Sequence, residues 1–403
     1  MRALWISKNV PYDDVAHAGG KIHNFLLKFF KSKDFDCYLV SFAKEDEFDK
    51  IDLDKYNIPY DVAKISFQKN LLYFGKKFFS LVFVITYLLG LDTAWYVWRI
   101  LKAVLRYKRK NNEPDIVILQ WTSVVNQIWW LKKIFPKSKF IAIEEDVTFL
   151  KKERILSKSS FLKKFFRKPA FAIFKKIELN SLKLSDLAVL NNEKDQELIV
   201  REGVGKEKTY VCHPFFQDMH YVNCNYFGKD ILFYGAMNRP ENYQSAIWFI
   251  EKVFSKLEPL GFQFIVVGNR PHDSLKHFDN GKTILVTGFV ENVTPYFENS
   301  LCLVAPLVMG AGVKIKVIEA MSSGLPVLTN EIGIEGIPAK DGEEFFLCES
   351  PEEYVDKIEK LSTNAPLGCE MGKKAKEIIK KKFNYKNDAQ VLLEKIKLIA
   401  ECE

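Results

Sequence analysis

The sequence contains no C-x-x-C pair. Its seven cysteines, Cys37, Cys212, Cys224, Cys302, Cys348, Cys369 and Cys402, are scattered along the chain. That spacing excludes a zinc-ribbon or finger cluster and gives no disulfide framework. It fits thiols kept reduced inside a cell. The chain also lacks an apolar run of membrane-spanning length. The longest, residues 78–91 between Lys77 and Asp92, falls short of the roughly 20 residues that a spanning helix requires. The opening MRALWISKNVPYDD has no signal-peptide core and sets Asp13 and Asp14 where a cleavage region would be. No nucleic-acid recognition motif is present, and a net charge of +8 over 403 residues is too small to argue for one. The expectation is a cytoplasmic protein without a transmembrane helix and without a nucleic-acid partner.

What is present is a globular composition, 48% hydrophobic, with aromatics at 14% and 33 phenylalanines. The length is enough for two domains with sizeable cores. The most informative stretch is CLVAPLVMGAGVKIKVIEAMSSGLPVLTNEIGIEG, residues 302–336. An apolar run over 301–307 predicts a buried strand. The turn Gly310-Ala311-Gly312 follows, then a helix over 313–323 stopped by Gly324 and Pro326, then a short strand over 325–329. This is a βαβ unit whose glycine turn offers backbone N–H groups at a helix start, a site suited to phosphate. Lys314 and Lys316 add positive charge. Lys316 and Glu319 are three apart and share a helix face. A cation and amides suit a diphosphate, and a carboxylate one turn on suits two ribose hydroxyls. The same spacing also fits a solvated helix face.

The run GAGVKIKVIEAMSSGLPVLT resembles the donor-binding signature of retaining, family-4 glycosyltransferases of the GT-B fold. The match passes through Pro306, Gly310, Gly312, Lys316, Glu319, Ala320, Met321, Gly324, Pro326 and Val327. Family members often carry two glutamates around seven residues. Here Glu319 is the second, and Ala311 stands where the first would be. The sequence is similar to a glycine-rich subset, for which the resemblance implies that amides of Gly310, Ala311, Gly312 and Val313 replace the missing carboxylate. The segment GAMNRPEN, with Ala236, Arg239 and Asn242, resembles the family loop that holds the diphosphate. Ala236 and Asn242 stand where many members have Arg and Lys, so Arg239, Lys314 and Lys316 are the cations expected to compensate. Residues 286–290, with Gly288, Phe289 and Val290, fit the family's turn that reads the nucleobase. Near the N-terminus, AHAGGK resembles the first loop of these enzymes. The resemblance implies that Gly19 and Gly20 face the donor phosphates, with His17 just before them; a plain βα turn fits the residues equally.

Taken in order, residues 3–7, 37–42, 115–120, 139–143 and 187–190 read as strands alternating with helices, one of which spans 21–31 and buries Ile22, Phe25, Leu26 and Phe29. Glu144, Glu145 and Asp146 close a strand at the end where ligands collect in open α/β sheets. Asp146, with Glu145 behind it, is the candidate acceptor contact or base; a helix N-terminal charge cluster reads as well. Asp52-Leu53-Asp54 has the spacing of a metal-holding pair but sits in a charged stretch that reads as a solvated loop. Residues 66–110 and 161–176 interleave aromatics with Lys and Arg, which suits either packing on the first domain or an anionic membrane surface. The strand–helix alternation occurs twice. The fold expected is α/β: GT-B, with two Rossmann-like, doubly wound parallel-sheet domains facing a central cleft. The domains are 1–215 for the acceptor, 216–384 for the nucleotide sugar, and a helix over 385–403 returning to the first. The expected activity is transfer from a nucleoside-diphosphate sugar to a saccharide or lipid-linked acceptor, with retention, in cell-envelope polysaccharide or glycolipid assembly. No cofactor or metal is expected. A nucleotide-sugar epimerase and a non-catalytic GT-B partner are the alternatives.

Overall fold

The structure, a computed structural model, describes residues 1–13, 15, 17–65, 94–157, 161–216, 228–310 and 312–401. It divides into two compact units, Met1–Phe215 with Tyr385–Glu403, and Phe216–Asn384.

In the first unit the described residues form seven parallel strands, β1 Arg2–Ser7, β2 Asp36–Lys44, β3 Tyr60–Ile65, β4 Ile116–Gln120, β5 Lys139–Ile143, β6 Leu187–Leu190 and β7 Thr209–Val211. Their order, β3-β2-β1-β4-β5-β6-β7, starts in the middle and winds both ways. A sheet of this kind must be covered on both faces, because parallel strands are joined by crossovers that lie on them. The residues divide accordingly. Ala3, Trp5, Ile116, Ile118, Ile141 and Ile143 enter one core, and the alternate residues Leu4, Ile6, Val117, Leu119, Phe140 and Ala142 enter the other. Each such Val, Leu, Ile or Phe side chain, fully buried, contributes about 1.5–3 kcal/mol. The first core is closed by the helices Ala18–Lys31 and Tyr385–Glu401, the second by Ala94–Lys110, Ile128–Ile134 and Phe161–Leu184.

The first helix begins at Ala18 rather than at 21, so Gly19 and Gly20 lie in its first turn instead of in the preceding loop. The cause is a cap: the His17 ring nitrogen Nδ1 accepts the Gly20 N–H at 2.9 Å. Phe25 and Phe29 are half-buried, and His23, Leu27 and Phe30 take the core-facing places. Asp52 is also not the solvated residue expected. It is 8% exposed, accepts the Asp13 N–H at 3.0 Å and lies 3.6 Å from the Lys28 ammonium. The C-terminal helix buries Ala389, Leu392, Leu393 and Ile396 in the first unit. Its Asp388 accepts the His213 N–H at 3.2 Å and lies 2.7 Å from His213 Nδ1. Residues 66–93, most of the first of the two stretches that interleave aromatics with Lys and Arg, lie outside the described residues.

In the second unit the described strands are β8 Asp230–Tyr234, β9 Gln263–Val267, β10 Ile284–Gly288, β11 Cys302–Ala305, β12 Val327–Thr329 and β13 Phe346–Leu347, all parallel, in the order β10-β9-β8-β11-β12-β13. Two close approaches fix elements of this unit, one at each end of the strands. Gly268 has φ +159, and a Cβ there would lie 1.6 Å from the Gly235 carbonyl oxygen. Gly324 ends the helix Ile315–Ser323 in the left-handed region, and a Cβ on Gly372 would lie 1.9 Å from its carbonyl oxygen.

Candidate functional site

The C-terminal ends of β8, β10 and β11 carry most of the residues singled out in the second unit, at the edge where open parallel sheets take ligands. The helix after β11 runs Ile315–Ser323, starting two residues later than the pattern predicts. Gly310 (φ 148) and Gly312 (φ 70) hold the chain in conformations open mainly to glycine, so Val313 stays outside the helix and Lys314 is its N-cap. Ala311 lies outside the described residues.

Lys314 and Lys316 part company at this point. The Lys314 ammonium turns back to the Gly312 carbonyl and lies 3.9 Å from the Glu335 carboxylate, both side chains being largely buried. Lys314 is therefore already met by an opposite charge. Glu335 carries no sequence signal beyond an acid beside a glycine. Lys316 instead reaches across to the helix Pro240–Phe249, where its Nζ donates to Asn242 Oδ1 at 2.7 Å and lies 4.5 Å from the centre of the Phe233 ring. Burial, aided by the charges of Lys314 and Arg239 and opposed by Glu241, pushes the Lys316 ammonium down to about 7.

Asn242 is 6% exposed and has both ends of its amide engaged: Oδ1 takes Lys316, and Nδ2 donates to the Ala236 carbonyl at 2.9 Å. It holds the loop after β8 and the Lys316 ammonium in one arrangement. Ser245 adds a second tie, accepting the Val308 N–H at 3.1 Å from the loop after β11. Arg239, the N-cap of the Pro240–Phe249 helix, is half exposed and paired to Glu241 at 2.5 Å. Glu319 is 1% exposed on the Ile315–Ser323 helix. Burial and the Glu319 charge together push the Tyr234 hydroxyl up. At the end of β10, Gly288 has φ 73, Phe289 is 70% exposed and Val290 is half-buried.

The first unit gathers a second set. A Cβ on Gly19 would lie 3.3 Å from the Glu145 carboxyl, and one on Gly20 would lie 2.8 Å from the His17 ring. Glu145 Oε1 accepts from Gln120 Nε2 at 2.7 Å, and its backbone carbonyl accepts from Asn191 Nδ2 at 2.8 Å. Gln120 is itself held by the Trp5 indole N–H at 3.0 Å. Burial, with Asp146 alongside, outweighs the Gln120 and Asn191 bonds and pushes Glu145 up to about 7. Glu145 is thus a carboxyl poised near neutrality, and Asp146 beside it is half-buried. Gln120 and Asn191 were missed in the sequence; each is a polar residue at the C-terminal end of an apolar strand, the one signal that marks it. Behind them Glu144 is buried and hydrogen-bonded by Thr122 at 2.5 Å. Glu178 caps the Thr148–Ser157 helix by accepting the N–H groups of Thr148 and Phe149 at 2.8 and 2.9 Å. Among the described residues no three His, Cys, Asp or Glu side chains gather as metal ligands.

Residues 228–364 match the family described as Glycosyl transferases group 1. A protein of Klebsiella pneumoniae, "Uncharacterized 44.6 kDa protein in cps region", is 28% identical over 165 residues, which span 38% of this chain and 41% of that relative. Sucrose-phosphate synthase from Thermosynechococcus elongatus superposes with a TM-score of 0.71 at 13% identity, each chain covered over 100%. HepE from Anabaena, solved in complex with UDP, superposes with a TM-score of 0.68 at 12% identity, covering 99% of this chain and 100% of its own. The two parallel-sheet, Rossmann-like units have the GT-B fold of these neighbours.

Proposed function

We propose that the chain is a retaining glycosyltransferase of family 4. It moves a sugar from a nucleoside-diphosphate sugar to a saccharide or lipid-linked acceptor in cell-envelope polysaccharide or glycolipid assembly, on the cytoplasmic side, without a metal. The observation that carries the reading is the cross-braced pair on the Ile315–Ser323 helix. Glu319 is buried there, and Lys316 is held by Asn242 beside the loop after β8. The match of residues 228–364 to group 1 glycosyltransferases supports it. The UDP complex of HepE supports a nucleotide donor, and the cps-region relative supports the cell-envelope role.

In this reading Glu319 accepts hydrogen bonds from the ribose hydroxyls. The turn Gly288–Val290 meets the base. Lys316, Arg239 and the amides of 310–313 receive the diphosphate, with Lys314 and its partner Glu335 shaping the turn. The bond between the anomeric carbon and the diphosphate oxygen breaks, and its electron pair stays on the leaving phosphate. Fixed positive groups are worth most at that point, since charge is developing on that oxygen. The acceptor oxygen bonds to the anomeric carbon on the face the diphosphate leaves, and its proton passes to the departing phosphate. Glu145, Asp146 and His17 are the acceptor-side groups, which hold and orient the acceptor hydroxyl toward the anomeric carbon.

The test is release of nucleoside diphosphate from UDP-, GDP-, ADP- and dTDP-sugars, with and without lipid-linked and saccharide acceptors. One base class should be consumed, faster with acceptor, with retained configuration in the product and loss of activity in Glu319→Ala. Conversion of the donor sugar to its epimer without acceptor would replace this reading by an epimerase. Tight nucleotide binding with no turnover under any acceptor would replace it by a non-catalytic binding protein.

A further inference from the structure

The helices Ala94–Lys110, Ile128–Ile134 and Phe161–Leu184 cover one face of the first sheet, and neighbours touch. The Tyr107 and Phe135 rings are 6.2 Å apart, and Lys108 Nζ donates to the Ile134 carbonyl at 2.6 Å. The first two helices contain no acidic residue, and the third contains one, Glu178, which is buried as a helix cap. The outer sides of these three helices are therefore basic, while the helices Thr148–Ser157 and Glu193–Arg201 on the same sheet face carry Glu153 and Glu197, and Glu202 pairs with Lys175 at 2.6 Å. Acidic side chains from other neighbouring elements meet part of the basic surface, Asp61 pairing with Arg106 at 2.6 Å and Asp186 with Lys132 at 3.5 Å. The cations that accompany the exposed aromatics lie elsewhere. Trp98, 48% exposed, has the Lys102 ammonium 3.6 Å from its ring centre, and Trp129, 54% exposed, has that of Lys133 at 5.6 Å. Leu105, 39% exposed, continues the apolar strip beyond Lys102.

We propose that this face, carried by Trp98, Lys102, Leu105, Trp129 and Lys133, docks on an anionic lipid surface. Nothing in the folding of a water-exposed helix asks for an exposed tryptophan, and two on adjacent helices, each with an ammonium over its ring, form a repeated device. An indole has an apolar body and a polar edge, and it gains by lying at the level of lipid headgroups. Lysine stems extend along apolar surface while their charge reaches phosphate. The strip lies on helices that run along a sheet face, the attitude of an interfacial rather than a spanning helix. Among the described residues no helix is long and apolar enough to cross a membrane. The inference stands on this surface alone, whether or not sugar transfer is the activity.

The full chain is sedimented with vesicles of phosphatidylglycerol and phosphatidylcholine and with vesicles of phosphatidylcholine alone. It should pellet with the anionic vesicles at low salt and stay in solution with the neutral ones, and about 0.5 M salt should release it. Lys102→Gln with Lys133→Gln should lower partitioning about 25-fold, taking roughly fivefold for each basic residue at the surface. Trp98→Ser with Trp129→Ser should lower it at low salt although no charge is removed, because the apolar anchor is lost. Lys395→Gln with Lys397→Gln, exposed positions on the helix over the opposite sheet face, should leave it unchanged. All three pairs replace surface side chains, and an unchanged melting temperature confirms that the fold is kept. Failure of the wild type to pellet, equal pelleting with neutral vesicles, or an equal loss in the Lys395/Lys397 pair would each overturn the proposal. Capture on immobilised polyglutamate without any vesicle binding would overturn it in favour of an acidic protein partner.

Discussion

Protonation of Lys316 should be coupled to nucleotide binding. In the free protein the ammonium is buried against Phe233 and Asn242, faces Lys314 and Arg239, and has Glu241 as its nearby opposing charge, which leaves it near 7. A bound diphosphate sets two negative charges beside it and raises its pKa by several units. Below about pH 6 both states hold the proton, and Lys316 adds no pH dependence. Above about 7 the free site has lost a proton that the bound site holds. Binding then takes a proton up, and affinity falls as pH rises. With a free pKa of about 7, half the sites are charged at pH 7 and about 3% at pH 8.5, so UDP or its preferred counterpart should bind about 15-fold more weakly at the higher pH. The terminal phosphate of the nucleotide ionises near pH 6 and does not contribute over that range. Calorimetry in two buffers of different ionisation enthalpy should read an uptake of about half a proton at pH 7, approaching one at pH 8.5. Lys316→Arg keeps its charge throughout and should abolish the slope. A flat wild-type curve, or a slope that survives in Lys316→Arg, would refute the reasoning.

Three further outcomes follow from the packing. Gly372→Ala pushes a methyl group into the Gly324 carbonyl and forces apart the helices Ala365–Lys382 and Ile315–Ser323, so urea unfolding should show a loss of about 1–3 kcal/mol, with nucleotide affinity falling alongside. Burial opposes charge on His213, but Asp388 and Glu193 together outweigh it and raise the imidazole to about 9. The stabilisation this brings is fully present below about pH 6.5 and lost as pH rises through about 9, up to about 3 kcal/mol, and Asp388→Asn should remove most of that pH dependence in denaturant titrations. Glu145, raised to about 7, binds its proton more tightly folded than unfolded, so it costs stability as pH rises from about 4.5 to 7. Glu145→Gln should match the wild type in stability at pH 4 and exceed it at pH 8, while losing transfer activity.

Where the chain's physics is local, the sequence shows it. The apolar runs that become β4, β5, β6 and β11 are buried throughout, apart from half-buried Lys139 at the start of β5, and parallel sheets covered on both faces demand such runs. The two doubly wound sheets follow from the repeated strand–helix alternation. Element starts were less legible because caps are tertiary choices: His17 is not a usual N-cap, and the left-handed glycines at 310 and 312 displace the next helix to Ile315. Electrostatic partners were not legible at all. Nothing near Lys316 in the chain announces Asn242, 74 positions away, nor does Asp52 announce Lys28 and the Asp13 amide. Of two lysines that read alike, Lys314 is neutralised by Glu335 and Lys316 is braced by a neutral amide, a distinction only the fold makes.

The central claim is that Glu319 and Lys316 hold a nucleoside diphosphate, and the most direct test is calorimetric titration with UDP, GDP, ADP and dTDP at pH 7. One nucleotide should bind, and Glu319→Ala should weaken it by about 10- to 150-fold, the worth of hydrogen bonds to a charged group at about 1.5–3 kcal/mol. Binding of the same nucleotide with unchanged affinity in Glu319→Ala, or heat from none of the four, would contradict the account.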